Sequence, residues 1–174
     1  MEEAFFTIAG ISYIGFAFIH FIYLAALNTS TVTVFGSELT LSSAFIWLAF
    51  LGTWASDTFA FFVGSKFGKH KLCPQISPAK TVEGFIGGII GSTIILILLA
   101  KLFNFLLLPT AILGLIIGFI APLGDLIESS IKRYTMIKDS GTLLPGHGGV
   151  LDRFDSAMIV IPIVYYYLQY INLY

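Results

Sequence analysis

Long apolar stretches recur along this chain and decide its fold class before any motif is considered. A run of about 20 apolar residues crosses the hydrocarbon core of a bilayer as a helix. Only a helix or a closed barrel satisfies its backbone polar groups there. Of 174 residues, 57% are hydrophobic and 11% are charged, against roughly 25% charged in a soluble domain. In water that surplus would leave large exposed apolar patches. The expected fold is an all-α integral membrane protein, a single transmembrane domain over residues 1–174.

The expected spans are Ala4 to Leu27, Leu41 to Val63, Phe85 to Ala100, Pro109 to Ser130, and Ser156 to Tyr170, the last bent or interrupted at Pro162. The first follows Glu2 and Glu3 instead of a basic segment, so it reads as a retained span and not a cleaved signal. Between the spans lie a Thr- and Ser-rich linker, Asn28 to Thr40, and two polar loops, 64–84 and 130–155. Those two loops and their edges carry Lys66, Lys69, Lys71, Lys80, Lys132, Arg133, Lys138 and Arg153, while the opposite side holds only Lys101. By the positive-inside rule both polar loops face the cytoplasm. The expected location is a prokaryotic plasma membrane, with the active site on its cytoplasmic side. Tyr165, Tyr166, Tyr167 and Tyr170 suit either an interfacial belt or helix packing.

Several function classes are excluded or disfavoured. A net charge of -1 gives no bulk attraction to nucleic acid. The single cysteine, Cys73, rules out an internal disulfide and a thiolate metal cluster. The chain contains neither a GxxxxGK[ST] phosphate loop nor an HExxH zinc motif. Ionisable groups gather at one face and not at the membrane midplane, which disfavours a transporter.

Carboxylates beside hydrocarbon are expensive unless paired or metal-bound, so they mark function. In GDLIESSIKR, Asp125, Glu128 and Ser129 share one helical face, and Lys132 lies one turn beyond Glu128. The glycine-rich segment KDSGTLLPGHGGVLDRFDS adds Asp139, His147, Asp152, Arg153 and Asp155. Asp125 and Asp152 suit a hard divalent cation such as Mg2+, which prefers oxygen ligands and bridges to phosphates. Lys132, Arg133 and Arg153 are the expected phosphate contacts, joined by Lys80 and Lys138; His147 either donates to phosphate or orders its loop. Ser77, Lys80, Thr81 and Glu83 lie in a proline-constrained loop that offers donors to a phosphate or headgroup. Asp57, near the end of the second span, either lines the reaction cavity or bonds between helices. Glu128 with Lys132, and Asp155 at a helix start, also have purely structural readings.

The segment SSIKRYTMIKDSGTLLPGHGGVLDRFD, from Ser129 to Asp155, resembles the signature of the phosphatidate cytidylyltransferases (CDP-diacylglycerol synthases). SDTFAFFVGSKFGKHKL and ISPAKTVEGFIGG resemble the segments that precede it, so the resemblance runs from about Leu41 to the end and matches the C-terminal part of that family. It implies CTP and phosphatidate as substrates, CDP-diacylglycerol and diphosphate as products, and a centre of magnesium and potassium (Mg2+ with K+) at Asp125 and Asp152. The substrate-binding set expected with it is Asp57, Ser77, Lys80, Thr81, Glu83, Glu128, Ser129, Lys138, Asp139 and Asp155. Transfer to another lipid phosphate or a polyprenol, and a non-catalytic subunit related to the synthase, are the rival readings. Expected partners are membrane lipids and a homodimer or N-terminal partner subunit. The glycine row GFIGGIIGS suits either a dimer interface or packing within one protomer.

Overall fold

The computed structural model describes residues 2–137, 140–141 and 149–174. Among them are five α-helices: α1 (Glu2–Ala25), α2 (Leu41–Phe67), α3 (Val82–Phe103), α4 (Leu107–Tyr134) and α5 (Leu151–Tyr170). Helices α1 to α4 are long and apolar enough to cross a membrane. At 1.5 Å per residue, even the 22 residues of α3 reach about 33 Å, against a hydrocarbon core of about 30 Å. α5 is less apolar, because its first turns carry Asp152, Arg153 and Asp155. It runs unbroken through Pro162, so of the expected bend or interruption there the interruption is absent. This is an all-α membrane protein.

The helix starts follow local chemistry. Thr40 and Thr81, both in extended backbone, cap α2 and α3 by accepting from the amides of Ser43 and Gly84. α3 ends at Asn104, which takes the left-handed conformation that asparagine tolerates. Pro109 sits in the first turn of α4, where a missing N–H costs nothing. Pro122, deeper in α4, leaves the Gly118 carbonyl without its helical donor; the Ser56 hydroxyl of α2 donates to it at 3.5 Å.

Two connections are hairpins and not plain loops. The linker pairs β1 (Thr31–Val34) with β2 (Ser37–Thr40) around Phe35 and Gly36, both at positive φ. At the opposite end β3 (Lys71–Cys73) pairs with β4 (Ser77–Thr81) across an irregular register. Pro74 lies in its turn, and Pro78 is tolerated because β4 is an edge strand.

α3 packs extensively on α2 and α4, α2 meets all four other helices, and α5 leans on α4 and α1. The glycine row is consumed inside the chain: a Cβ on Gly88 would sit 2.9 Å from the Ser56 carbonyl of α2. Phe45, Leu48, Leu96, Leu113 and Val164 form the apolar core. Of the tyrosines, Tyr165 packs on His20 and Tyr23, Tyr167 donates to the Pro109 carbonyl at 2.8 Å, and Tyr170 is exposed. The run therefore serves both packing and surface.

Candidate active site

α2, the β3–β4 hairpin, α3 and α4 enclose a cavity of about 500 Å³. Asp57 and Phe61 face it from α2, Ser77, Lys80 and Thr81 from the hairpin, and Pro122 with Asp125 from α4. The Lys80 ammonium ties hairpin to helix: its Nζ lies 2.7 Å from Asp125 Oδ2 and donates to the Pro122 carbonyl at 3.2 Å. Ser129, one turn on, donates to Asp125 Oδ1 at 3.0 Å. Asp57 lies within electrostatic reach of Asp125, Asp155 and Lys80. Of its two readings, the cavity-lining one matches this position.

A second lysine joins α4 to α5. Lys132 Nζ sits 3.3 Å from Glu128 Oε2 and 2.7 Å from Asp152 Oδ1. Asp152 Oδ2 accepts from the Ser140 amide and hydroxyl, each at 2.9 Å, and from the Gly149 amide at 2.7 Å. One carboxylate at the start of α5 thus gathers both edges of the signature loop. Close approach of α4 and α5 depends on Gly124, where a Cβ would lie 2.8 Å from Ser156 Cα and 2.9 Å from the Asp155 carbonyl.

The remaining expected residues divide. Thr81 lines the cavity while capping α3, and Ser77 lines it from β4. Glu83 instead latches the hairpin, accepting from the amides of Lys69 and His70 and meeting His70 Nδ1 at 2.6 Å; it is not among the cavity-lining residues. Arg133 is exposed and donates to the Ile76 carbonyl at 3.4 Å, which brings the end of α4 to the hairpin. Arg153 is exposed on the first turn of α5. Lys138, Asp139 and His147 lie outside the described residues. Ser140 and the Pro122 carbonyl are additions that motif reading did not single out, although Ser140 stands within the KDSG stretch.

Among the described residues, no three His, Cys, Asp or Glu side chains stand close enough to share one metal ion. Magnesium, however, is commonly held by one or two carboxylates together with substrate phosphates. Asp125 and Asp152 carry oxygen donors of the kind such an ion takes, and in this structure each is paired with a lysine.

The arrangement defines a membrane-embedded protein with a polar site at one end of its helices, built from two lysine–carboxylate pairs. The chain belongs to the cytidylyltransferase family, which it matches over residues 1–171. It is 44% identical over 173 residues to the phosphatidate cytidylyltransferase of Bacillus subtilis (strain 168), covering 96% of this chain and 58% of that protein. The same enzyme of Staphylococcus saprophyticus is 43% identical over 164 residues, 93% of this chain and 58% of the relative. That of Staphylococcus aureus (strain COL) is 49% identical over 122 residues, 69% and 47% of the two chains. The chain therefore spans 58% of the length of the first two relatives. The similarity also reaches further than the motifs indicate: it includes α1 and does not begin at Leu41.

Proposed function

We propose that this chain performs cytidylyl transfer from CTP to phosphatidate, giving CDP-diacylglycerol and diphosphate, as its relatives are named for doing. The observation that carries this reading is the pairing of Lys80 with Asp125 at the cavity between α2, the hairpin and α4, together with that of Lys132 with Asp152 between α4 and α5. The lysines would clamp phosphate oxygens, and Asp125 and Asp152 would hold magnesium, which neutralises charge on a transferring phosphoryl group.

In this mechanism a phosphatidate oxygen attacks the α-phosphorus of CTP. The new P–O bond forms as the bond to the β-phosphate oxygen breaks, and diphosphate leaves with that electron pair. The nucleophile is already ionised at neutral pH, so catalysis is chiefly positioning and charge neutralisation. Lys132 bridges Glu128 and Asp152 and so holds α4 and α5 in a fixed relation around the reacting phosphates. The acyl chains have an apolar cavity of about 560 Å³ between α1, α2 and α5, lined by Ile14, Phe18, Phe50, Leu151 and Phe154 among others. Val150 and Leu151, immediately before Asp152, form part of its wall. The lysine- and arginine-bearing loops support placing the site on the cytoplasmic side.

The test supplies purified protein in lipid nanodiscs with labelled CTP, magnesium and defined acceptors. Labelled CDP-diacylglycerol from phosphatidate is expected. Label entering a polyprenyl or ether phosphate instead would redirect the substrate, and no transfer by folded protein would overturn the reading.

A further inference from the structure

The hairpin that carries Lys80 is too small to hold its own shape. β3 and β4 pair at two positions, Lys71 with Thr81 and Cys73 with Ser77, with an irregularity between them. An isolated two-stranded hairpin is marginally stable at best in water. On one side this hairpin meets α4, where Lys80 reaches Asp125 at 2.7 Å and the Ile76 carbonyl accepts from Arg133 at 3.4 Å. In the proposed reaction Lys80 takes up a phosphate oxygen. It cannot release Asp125 for that phosphate and go on holding the hairpin through the same pair. A second tie is required, made by groups outside the cavity.

Glu83 supplies it at the base of the hairpin. It stands in the first turn of α3, three residues after Lys80. Its Oε2 accepts from the amides of Lys69 and His70 at 3.1 and 3.2 Å, and its Oε1 meets His70 Nδ1 at 2.6 Å. Hydrogen bonds to a carboxylate are roughly twice as strong as those between neutral groups. The Val82 amide donates to the His70 carbonyl at 2.9 Å. His70, the residue before β3, is thus bound through its amide, its carbonyl and its ring to the two residues that follow β4. The base has no room to spread toward α2, since a Cβ on Gly68 would lie 2.7 Å from Thr81 Cγ2. The direction of β4, and of Lys80 upon it, is set from this closed base.

We propose that Glu83 is a positioning residue for Lys80: its carboxylate locks the base of the hairpin and so keeps the ammonium at the cavity wall while it exchanges Asp125 for phosphate. Glu83 is not among the cavity-lining residues and acts through the hairpin alone. The claim about catalysis rests on the proposed cytidylyl transfer; the claim about the lock does not.

An acid in the first turn also favours the helix through its dipole, and three substitutions separate that role from the lock. Glu83→Asp keeps the charge at the N-terminus of α3 but is one methylene too short to hold both amides. Glu83→Gln keeps the length and an oxygen for the two amides while losing the charge. Glu83→Ala loses both. The lock predicts that Glu83→Gln retains most of the turnover, whereas kcat falls about tenfold to a hundredfold in Glu83→Asp and Glu83→Ala. The reverse order of Gln and Asp, equal losses in all three, or full turnover in Glu83→Ala overturns the proposal. Hydrogen exchange gives a readout independent of turnover. The amides from Lys69 to Lys80 should exchange faster in Glu83→Asp and Glu83→Ala than in wild type or Glu83→Gln, with those of α2 and α4 unchanged. Hairpin exchange unmoved by Glu83→Ala overturns the lock, whatever happens to the rate. Faster hairpin exchange in that variant, beside a wild-type protein that transfers no cytidylyl group, would keep the lock and sink the proposed function alone.

Discussion

Each lysine of the site neutralises a carboxylate that lipid-facing surroundings would otherwise penalise, but the two pairs differ in burial. The side chains of Lys80 and Asp125 are 22% and 32% exposed, whereas those of Lys132, Glu128 and Asp152 are 16%, 2% and 8% exposed. Breaking a buried pair from one side leaves an uncompensated charge and costs about 3–5 kcal/mol, while exposed pairs are worth far less. Lys132→Met should therefore lower the unfolding temperature strongly, and Lys80→Met only slightly, although both abolish transfer; thermal unfolding in detergent beside a turnover assay checks the contrast. The Glu128–Lys132 pair was legible as an i, i+4 spacing, and Asp125 with Ser129 as a shared helix face. The Lys80–Asp125 contact was not, because it joins a hairpin to a distant helix and only the packed fold brings them together. Asp152 was legible as an acid at a helix start, but its hold on Ser140, 12 residues away, was not, because no local spacing announces it.

At the level of elements, hydrophobic runs located all five helices, and their ends moved by a few residues because polar caps extend helices beyond the apolar stretch. α5 begins at Leu151 and not Ser156, since Asp152 and Asp155 sit in its first turns. The hairpins escaped notice: each strand is only three to five residues long, too short for alternation to stand out. Even so, Thr31–Val34 does alternate. The glycine row could be read two ways until Gly88 was found against Ser56 of α2. Gly88→Leu should push α2 from α3 and destabilise the fold by about 1–3 kcal/mol, measured as a lower unfolding temperature. Gly124→Val acts beside the site, where added bulk meets the α5 backbone at Ser156. It should depress turnover by more than tenfold, because a displacement of about 1 Å in positioning groups costs rates on that scale. Turnover unchanged in that variant would show that the α4–α5 approach does not set the geometry of the site.

Across the whole molecule, one end carries the hairpin cation, both carboxylate pairs and the edges of the signature loop, while the apolar core lies toward the other. That polarity was legible from the placement of charge alone. The contribution of α1 was not, because its sequence offers apolar residues and no dense motif; its His20 gains meaning only against the tyrosines of α5. The central claim is that carboxylates from α4 and α5 serve a single cation and a single triphosphate. Binding of Mn2+ in place of magnesium, followed by electron paramagnetic resonance with and without CTP, tests it most directly. Wild-type protein should bind Mn2+ more tightly when CTP is present, and Asp125→Asn and Asp152→Asn should each remove that CTP-dependent binding. CTP-dependent Mn2+ binding that survives unaltered in either variant would contradict a shared centre.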